Sequence, residues 1–154
     1  MKGEIHYIKH DATDPDLSVS RCGNAAIVHI CNNIHVWGGG FTGALSRRWM
    51  APEIDFRKTE PLLGTSFTTR VTNNIVVVGL FGQRGIRSYN NPHPIDYKAV
   101  EKALLGIGEF SINHSYWMPR IGCGLAGGTW EEMEPIIRRI LVDKFRGDVY
   151  VCDL

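Results

Sequence analysis

Two stretches constrain the fold of this 154-residue chain more than any other feature: Ala25-Ala26-Ile27-Val28-His29-Ile30-Cys31 and Ile75-Val76-Val77-Val78-Gly79-Leu80-Phe81. Neither alternates apolar with polar residues, so neither suits a strand with one wet face. Apolar runs of this kind, rich in β-branched residues, suit strands covered on both faces, as in a sheet sandwiched by helices. Strand patterns also occupy residues 4–9, 65–71, 116–121 and 149–152, and Pro119 favours a strand end or an irregular position. Residues 44–50 look helical, and Tyr97, Val100, Ala103, Leu104 and Ile107 recur with helical spacing. A further helix is expected after Thr129 as its cap, with Glu131 and Glu132 in the first turn and Arg138-Arg139 later, an arrangement that suits the helix dipole. Strands alternating with helices predict an α/β fold with a mixed sheet between helices, in one domain over residues 1–154.

The charge balance narrows the partners. Seventeen Lys and Arg against 16 Asp and Glu leave a formal +1, which argues against an electrostatic grip on nucleic acid or an anionic membrane. No apolar run approaches the roughly 20 residues of a membrane helix, and Met1-Lys2-Gly3-Glu4 leads into a strand pattern rather than a signal peptide. A cytoplasmic monomer is the expectation. Cys22, Cys31, Cys123 and Cys152 are scattered, without a C-x-x-C pair or zinc-like spacing, and free thiols are expected. No metal and no cofactor are expected.

Two glycine loops, residues 37–43 and 122–128, each follow a strand and precede a helix. Missing side chains let backbone N–H groups approach phosphate oxygens, and a helix N-terminus adds positive partial charge. Neither loop is a P-loop, since no Gly-Lys-Ser/Thr follows. Gly38, Gly40 and Gly43 fit G-x-G-x-x-G, but no acidic residue follows at the dinucleotide-binding distance. Tight turns are the bland alternative. Two such loops at strand C-terminal ends favour a phosphate-bearing ligand in a crevice.

Asp11 after the first strand, His29-Ile30-Cys31-Asn32, Trp37-Gly38-Gly39-Gly40-Phe41 and Pro119-Arg120-Ile121-Gly122-Cys123-Gly124-Leu125 together resemble the macrodomain family over essentially the whole chain. The string His-x-Cys-Asn, a short insert and Trp-Gly-Gly-Gly is most similar to the ADP-ribose 1''-phosphate phosphatases, in a subgroup that also holds terminal ADP-ribosyl-glutamate glycohydrolases. The resemblance implies a three-layer α/β/α sandwich with a mixed six-stranded sheet. It implies that Asp11 accepts the adenine amino group, with the amide of Ala12 nearby, and that Asn32 holds the distal ribose. Gly38, Gly39, Gly40, Phe41 and Thr42 would wrap that ribose and the pyrophosphate. Gly122, Cys123, Gly124, Leu125, Ala126 and Gly127 would cradle the diphosphate through backbone amides. Read alone, Asp11 is a turn carboxylate and Asn32-Asn33 a strand-ending turn.

A histidine inside an apolar strand usually reads as a satisfied core residue. The resemblance makes His29 a candidate catalytic group, since a near-neutral pKa suits proton transfer. His35, inside the first loop, is a second candidate and is expected to be better exposed to substrate. The glycohydrolase branch resembles this chain less, because its lysine and aspartate fall where Ser46 and Ala126 stand, and a serine cannot form the covalent sugar adduct of an amine. The expected partner is therefore ADP-ribose or ADP-ribose 1''-phosphate. The expected activity is hydrolysis of the latter to ADP-ribose and phosphate; the alternatives are a non-catalytic ADP-ribose binding module and an ADP-ribosyl hydrolase. Trp49, Trp117 and Trp130 read as packing aromatics, and Trp37 as a flank of the ligand. Residues 89–91 read as a solvated loop, and Arg47-Arg48 and Arg138-Arg139 as solvated helix faces.

Overall fold

The computed structural model describes residues 3–108 and 115–154; Met1 and Lys2, at the head of the strand-like opening, lie outside them. Six strands form one sheet: β1 (Ile5–Lys9), β2 (Ala25–Asn32), β3 (Ser66–Arg70), β4 (Ile75–Gln83), β5 (Ser115–Met118) and β6 (Val149–Asp153). Their spatial order is β1-β6-β5-β2-β4-β3. Every neighbouring pair is parallel except β3 and β4. The carboxyl ends of five strands therefore share one edge of the sheet, where ligands of open α/β folds bind.

The unbroken apolar runs are explained by what covers them. Ala26 and Val28 of β2 and Val76, Val78 and Leu80 of β4 pack with Val100 and Leu104 on α3 (Tyr97–Gly106) and Met133 and Ile137 on α4 (Trp130–Ile137). Their strand neighbours Ala25, Ile27 and Val77 pack with Leu45 on α1 (Gly40–Arg48), and Cys31 and Phe81 with Phe56 on α2 (Ala51–Lys58). Successive strand residues point to opposite faces, so a sheet with helices on both sides needs apolar residues at consecutive positions. This is the expected three-layer α/β/α sandwich around a mixed six-stranded sheet.

Three elements differ from the sequence expectation. Helix α1 starts at Gly40, not at residue 44, so Gly40, Phe41 and Thr42 form its first turn, and the Thr42 hydroxyl donates back to the carbonyls of Gly38 and Gly39 at 3.0 Å each. Helix α2 has no counterpart in the sequence pattern; only Pro52 and Phe56 of its eight residues are buried, too sparse a stripe to show periodicity. Thr129 occupies the N-cap of α4 without a side-chain cap bond. Its hydroxyl instead lies 3.5 Å from the Glu132 carboxylate, and its N–H donates to the Tyr97 hydroxyl. Helix α4 continues as a π-helical turn over Arg138–Lys144. All four cysteines are free thiols. Among the described residues, no helix is long and apolar enough to cross a membrane, and no three His, Cys, Asp or Glu side chains converge as a metal site.

Candidate functional site

A cavity of about 580 Å³ opens at the carboxyl ends of β2, β4 and β5. Both glycine loops reach it. Gly38, Gly39, Gly40, Phe41 and Thr42 line one part, and Gly122, Gly124, Leu125 and Ala126 another. At Gly38, Gly39, Gly40 and Gly124 an added Cβ would meet no atom within 4 Å, so these glycines keep space open rather than fill a tight contact. Gly127 and Gly128 have the opposite reason: a Cβ on Gly127 would lie 2.7 Å from the Pro92 carbonyl oxygen, and one on Gly128 2.5 Å from that of Gly122. Those two glycines shape the loop and do not line the cavity, and Cys123 does not line it either.

The second loop closes on itself by Gly127 N–H to Gly124 O at 3.0 Å and Gly128 N–H to Gly122 O at 2.8 Å. Among the described residues, the N–H groups of Gly122, Gly124, Leu125 and Ala126 have no partner. Successive unpaired amides in a turn form a concave nest that favours anions.

His29 lines this cavity and is 2% exposed. It is not the satisfied core histidine that its strand position alone suggests. Its Nε2 has no hydrogen-bond partner among the described residues, and Nδ1 lies 3.7 Å from the Cys31 sulfur. Trp37 meets the ring edge-on at 5.6 Å between centroids and Phe41 tilts against it at 6.0 Å. Burial holds the imidazole pKa down to about 4, partly opposed by a backbone hydrogen bond to Ile30, so the ring is neutral near pH 7. Burial likewise pushes the Cys31 thiol far up and keeps it protonated.

His35 is not at the cavity. It adopts a left-handed backbone (φ 58°), which turns the ring toward α2, where Nε2 donates to the Thr59 carbonyl at 2.7 Å and the ring edge meets Phe56. Its expected exposure to substrate is corrected accordingly. Asn32 lines the cavity, but its side chain knits its own loop: Oδ1 accepts from the N–H groups of Ile34 and Val36, and Nδ2 donates to the Val36 carbonyl at 2.7 Å. Asp11 and Ala12 lie beyond the end of β1, outside the cavity wall. Burial opposes it, yet the Thr13 hydroxyl and N–H together with Arg48 hold the Asp11 carboxyl below its usual range. Arg48 is thus engaged with Asp11 and Thr13 rather than merely solvated.

Several wall residues are given no role by the sequence, although Arg120 stands inside one of its motifs. Phe56, Gln83, Ile86, Arg87 and Arg120 reach the cavity from α2, the end of β4 and the loops after β4 and β5. Ser46 acts as a brace. Its hydroxyl accepts from the Trp37 indole N–H at 2.7 Å and lies 3.3 Å from the Glu53 carboxylate. Glu53 in turn pairs with Arg57, whose Nη1 donates to the His35 carbonyl. That chain fixes Trp37, one wall of the cavity, to α1 and α2. Tyr89 is 99% exposed and does not line the cavity.

Fold and site define a class: an α/β/α sandwich with an open, glycine-lined cavity at the carboxyl edge of its parallel strands. No family model matches the chain. A macrodomain protein from Streptomyces coelicolor is 32% identical, with a TM-score of 0.82, over 97% of this chain and 99% of that one. A protein of unknown function from Bacteroides thetaiotaomicron is 42% identical, with a TM-score of 0.87, over 99% of both chains. Among curated proteins, an ADP-ribose 1''-phosphate phosphatase from Candida albicans is 28% identical over 96% of this chain and 99% of that protein. The chain belongs to the macrodomain family.

Proposed function

We propose that the protein binds ADP-ribose and hydrolyses ADP-ribose 1''-phosphate to ADP-ribose and inorganic phosphate. The observation that carries this reading is the unpaired Nε2 of a neutral histidine in the wall of a cavity that also presents unpartnered amides. The likeness to the Candida albicans phosphatase points the same way. In this reading the nest at Gly122, Gly124, Leu125 and Ala126 receives the diphosphate, Gly38 to Thr42 enclose the ribose, and Asp11 takes the adenine amino group. With its proton on Nδ1, His29 offers the Nε2 lone pair to a water. The water oxygen bonds to phosphorus as the bond from phosphorus to the anomeric oxygen breaks. Nε2 takes the water's proton and returns one to that oxygen, leaving a hydroxyl and inorganic phosphate.

A second reading is a binding module without turnover, favoured by the absence, among the described residues, of any cavity-lining carboxylate to support the imidazole. Removal of ADP-ribose from a side chain is the weakest alternative. Ser46 is committed to Trp37, and Ala126 offers no acid or base.

The test is incubation with ADP-ribose 1''-phosphate, with and without EDTA, with released phosphate quantified beside a calorimetric titration with ADP-ribose. Chelation-resistant release, with His29→Ala binding ADP-ribose but turning over at least 100-fold more slowly, is the expected result. Binding without release would leave the binding module standing, and neither would refute both.

A further inference from the structure

We propose that Arg87 grips the terminal phosphate and makes the cavity prefer an ADP-ribose carrying a phosphomonoester over ADP-ribose itself; this rests on the ADP-ribose reading above. Charge is the first ground. Among the described residues, Arg87 and Arg120 are the two permanently cationic side chains that line the cavity, and no Asp or Glu lines it. Arg120 is spent: Nε and Nη2 donate to the two oxygens of Asp153 at 3.0 and 3.1 Å, and its guanidinium lies 5.3 Å from the ring centre of Tyr7 and 5.5 Å from that of Trp130. Among the described residues, Arg87 has neither hydrogen bond nor ion pair. Arg87 is exposed, and a cation with no counter-charge at the wall of the cavity matches a dianion that enters with the ligand.

Placement is the second ground. The strand order runs β1-β6-β5-β2-β4. Asp11 follows β1, Asp153 ends β6 and Arg120 follows β5, so all three stand on one side of the sheet's carboxyl edge. Arg87 follows β4, beyond β2, on the other side. A ligand whose base lies toward Asp11 extends its far end toward His29, Gln83 and Arg87. A phosphate on the terminal sugar then lies on the side of the cavity that carries Arg87, with His29 in the same wall.

The loop carrying Arg87 is braced on both sides of it. Asn91 Nδ2 donates to the carbonyls of Arg84 and Ile86 at 2.8 and 3.1 Å. Gly85 N–H donates to Asn33 Oδ1 at 2.8 Å, which ties the loop to the end of β2. Ser88 and Asn91 exchange backbone bonds at 3.1 and 3.0 Å. The backbone is thus held while the guanidinium stays uncommitted. The two parallel N–H donors of arginine can engage two oxygens of one phosphate, which a free sugar hydroxyl does not offer.

The test reads a ratio of dissociation constants in a His29→Ala background, chosen so that the phosphorylated ligand persists during calorimetry. Parent and Arg87→Ala proteins are titrated with ADP-ribose and with ADP-ribose 1''-phosphate, with Tm recorded for each. The expected parent preference for the phosphorylated ligand is between about tenfold and a hundredfold, falling to near unity in Arg87→Ala, with part retained in Arg87→Lys. A preference that survives Arg87→Ala would overturn the proposal. So would an equal loss for both ligands, which would put Arg87 on a group the two share. If wild type binds ADP-ribose but the parent shows no preference, this inference alone falls; if wild type does not bind ADP-ribose, the proposed function falls with it.

Discussion

His29 is a titratable group inside an apolar strand with one nitrogen unpaired among the described residues, and its cost is tied to pH. Its folded pKa, about 4, lies below the ordinary 6.5. As pH falls through 6.5 the unfolded chain binds the proton first, so stability declines between pH 6.5 and 4 and levels off below. The span corresponds to about 3 kcal/mol. Urea unfolding of wild type from pH 7 to 4 should show this decline, and His29→Phe should flatten it in that window; an equal slope in both proteins would place the acid sensitivity elsewhere. Asp11 and Asp153, whose carboxyls are held below their usual range, add acid losses lower on the scale. The string His-x-Cys-Asn is legible in the sequence. That Nε2 is left without a partner is not, because Trp37 and Phe41, eight and 12 residues onward, close on the ring only after α1 docks. The orientation of His35 is hidden for the same reason, since its partner Thr59 lies at the end of a helix that leaves little trace in the pattern.

At the scale of elements, glycines that look alike in sequence divide into two kinds. Gly124 faces open space in the cavity, whereas Gly128 lies under the Gly122 carbonyl and the Tyr97 hydroxyl. Gly124→Val should keep Tm within about 2 °C of wild type and weaken ADP-ribose binding at least tenfold, because the new side chain occupies the ligand's space. Gly128→Ala should instead cost about 1–3 kcal/mol through overpacking. Denaturant unfolding beside calorimetry separates the two, and a large stability loss at Gly124 would refute the division. Both loops are visible as glycine runs between strand and helix. Which glycines bear on ligand and which on packing depends on residues such as Pro92 and Tyr97, which only the folded chain brings near.

For the whole molecule, the last strand is not a peripheral addition. β6 lies between β1 and β5, with Val149 and Val151 fully buried, and its Asp153 carries both the His10 N–H and the Arg120 guanidinium. A chain ending at residue 148 should lose its cooperative thermal transition by circular dichroism, since removing an interior strand separates β1 from the sheet and opens the core. A sharp transition in that truncated chain would contradict the role given to β6.

The layered α/β/α arrangement follows from the sequence because consecutive apolar residues in β2 and β4 need cover on both faces, a local requirement that no distant contact can remove. The strand–glycine–helix junctions are local as well, and with them the edge at which the cavity opens. Tertiary structure alone decided which polar and charged groups remain unpaired there. Arg120 and Arg87 are both arginines in loops after strands, yet one pairs with Asp153, 33 residues onward on another strand, and the other has neither hydrogen bond nor ion pair among the described residues. Side-chain pairing is a long-range property: it depends on which residues the sheet order sets side by side, and that order does not follow the order of the sequence.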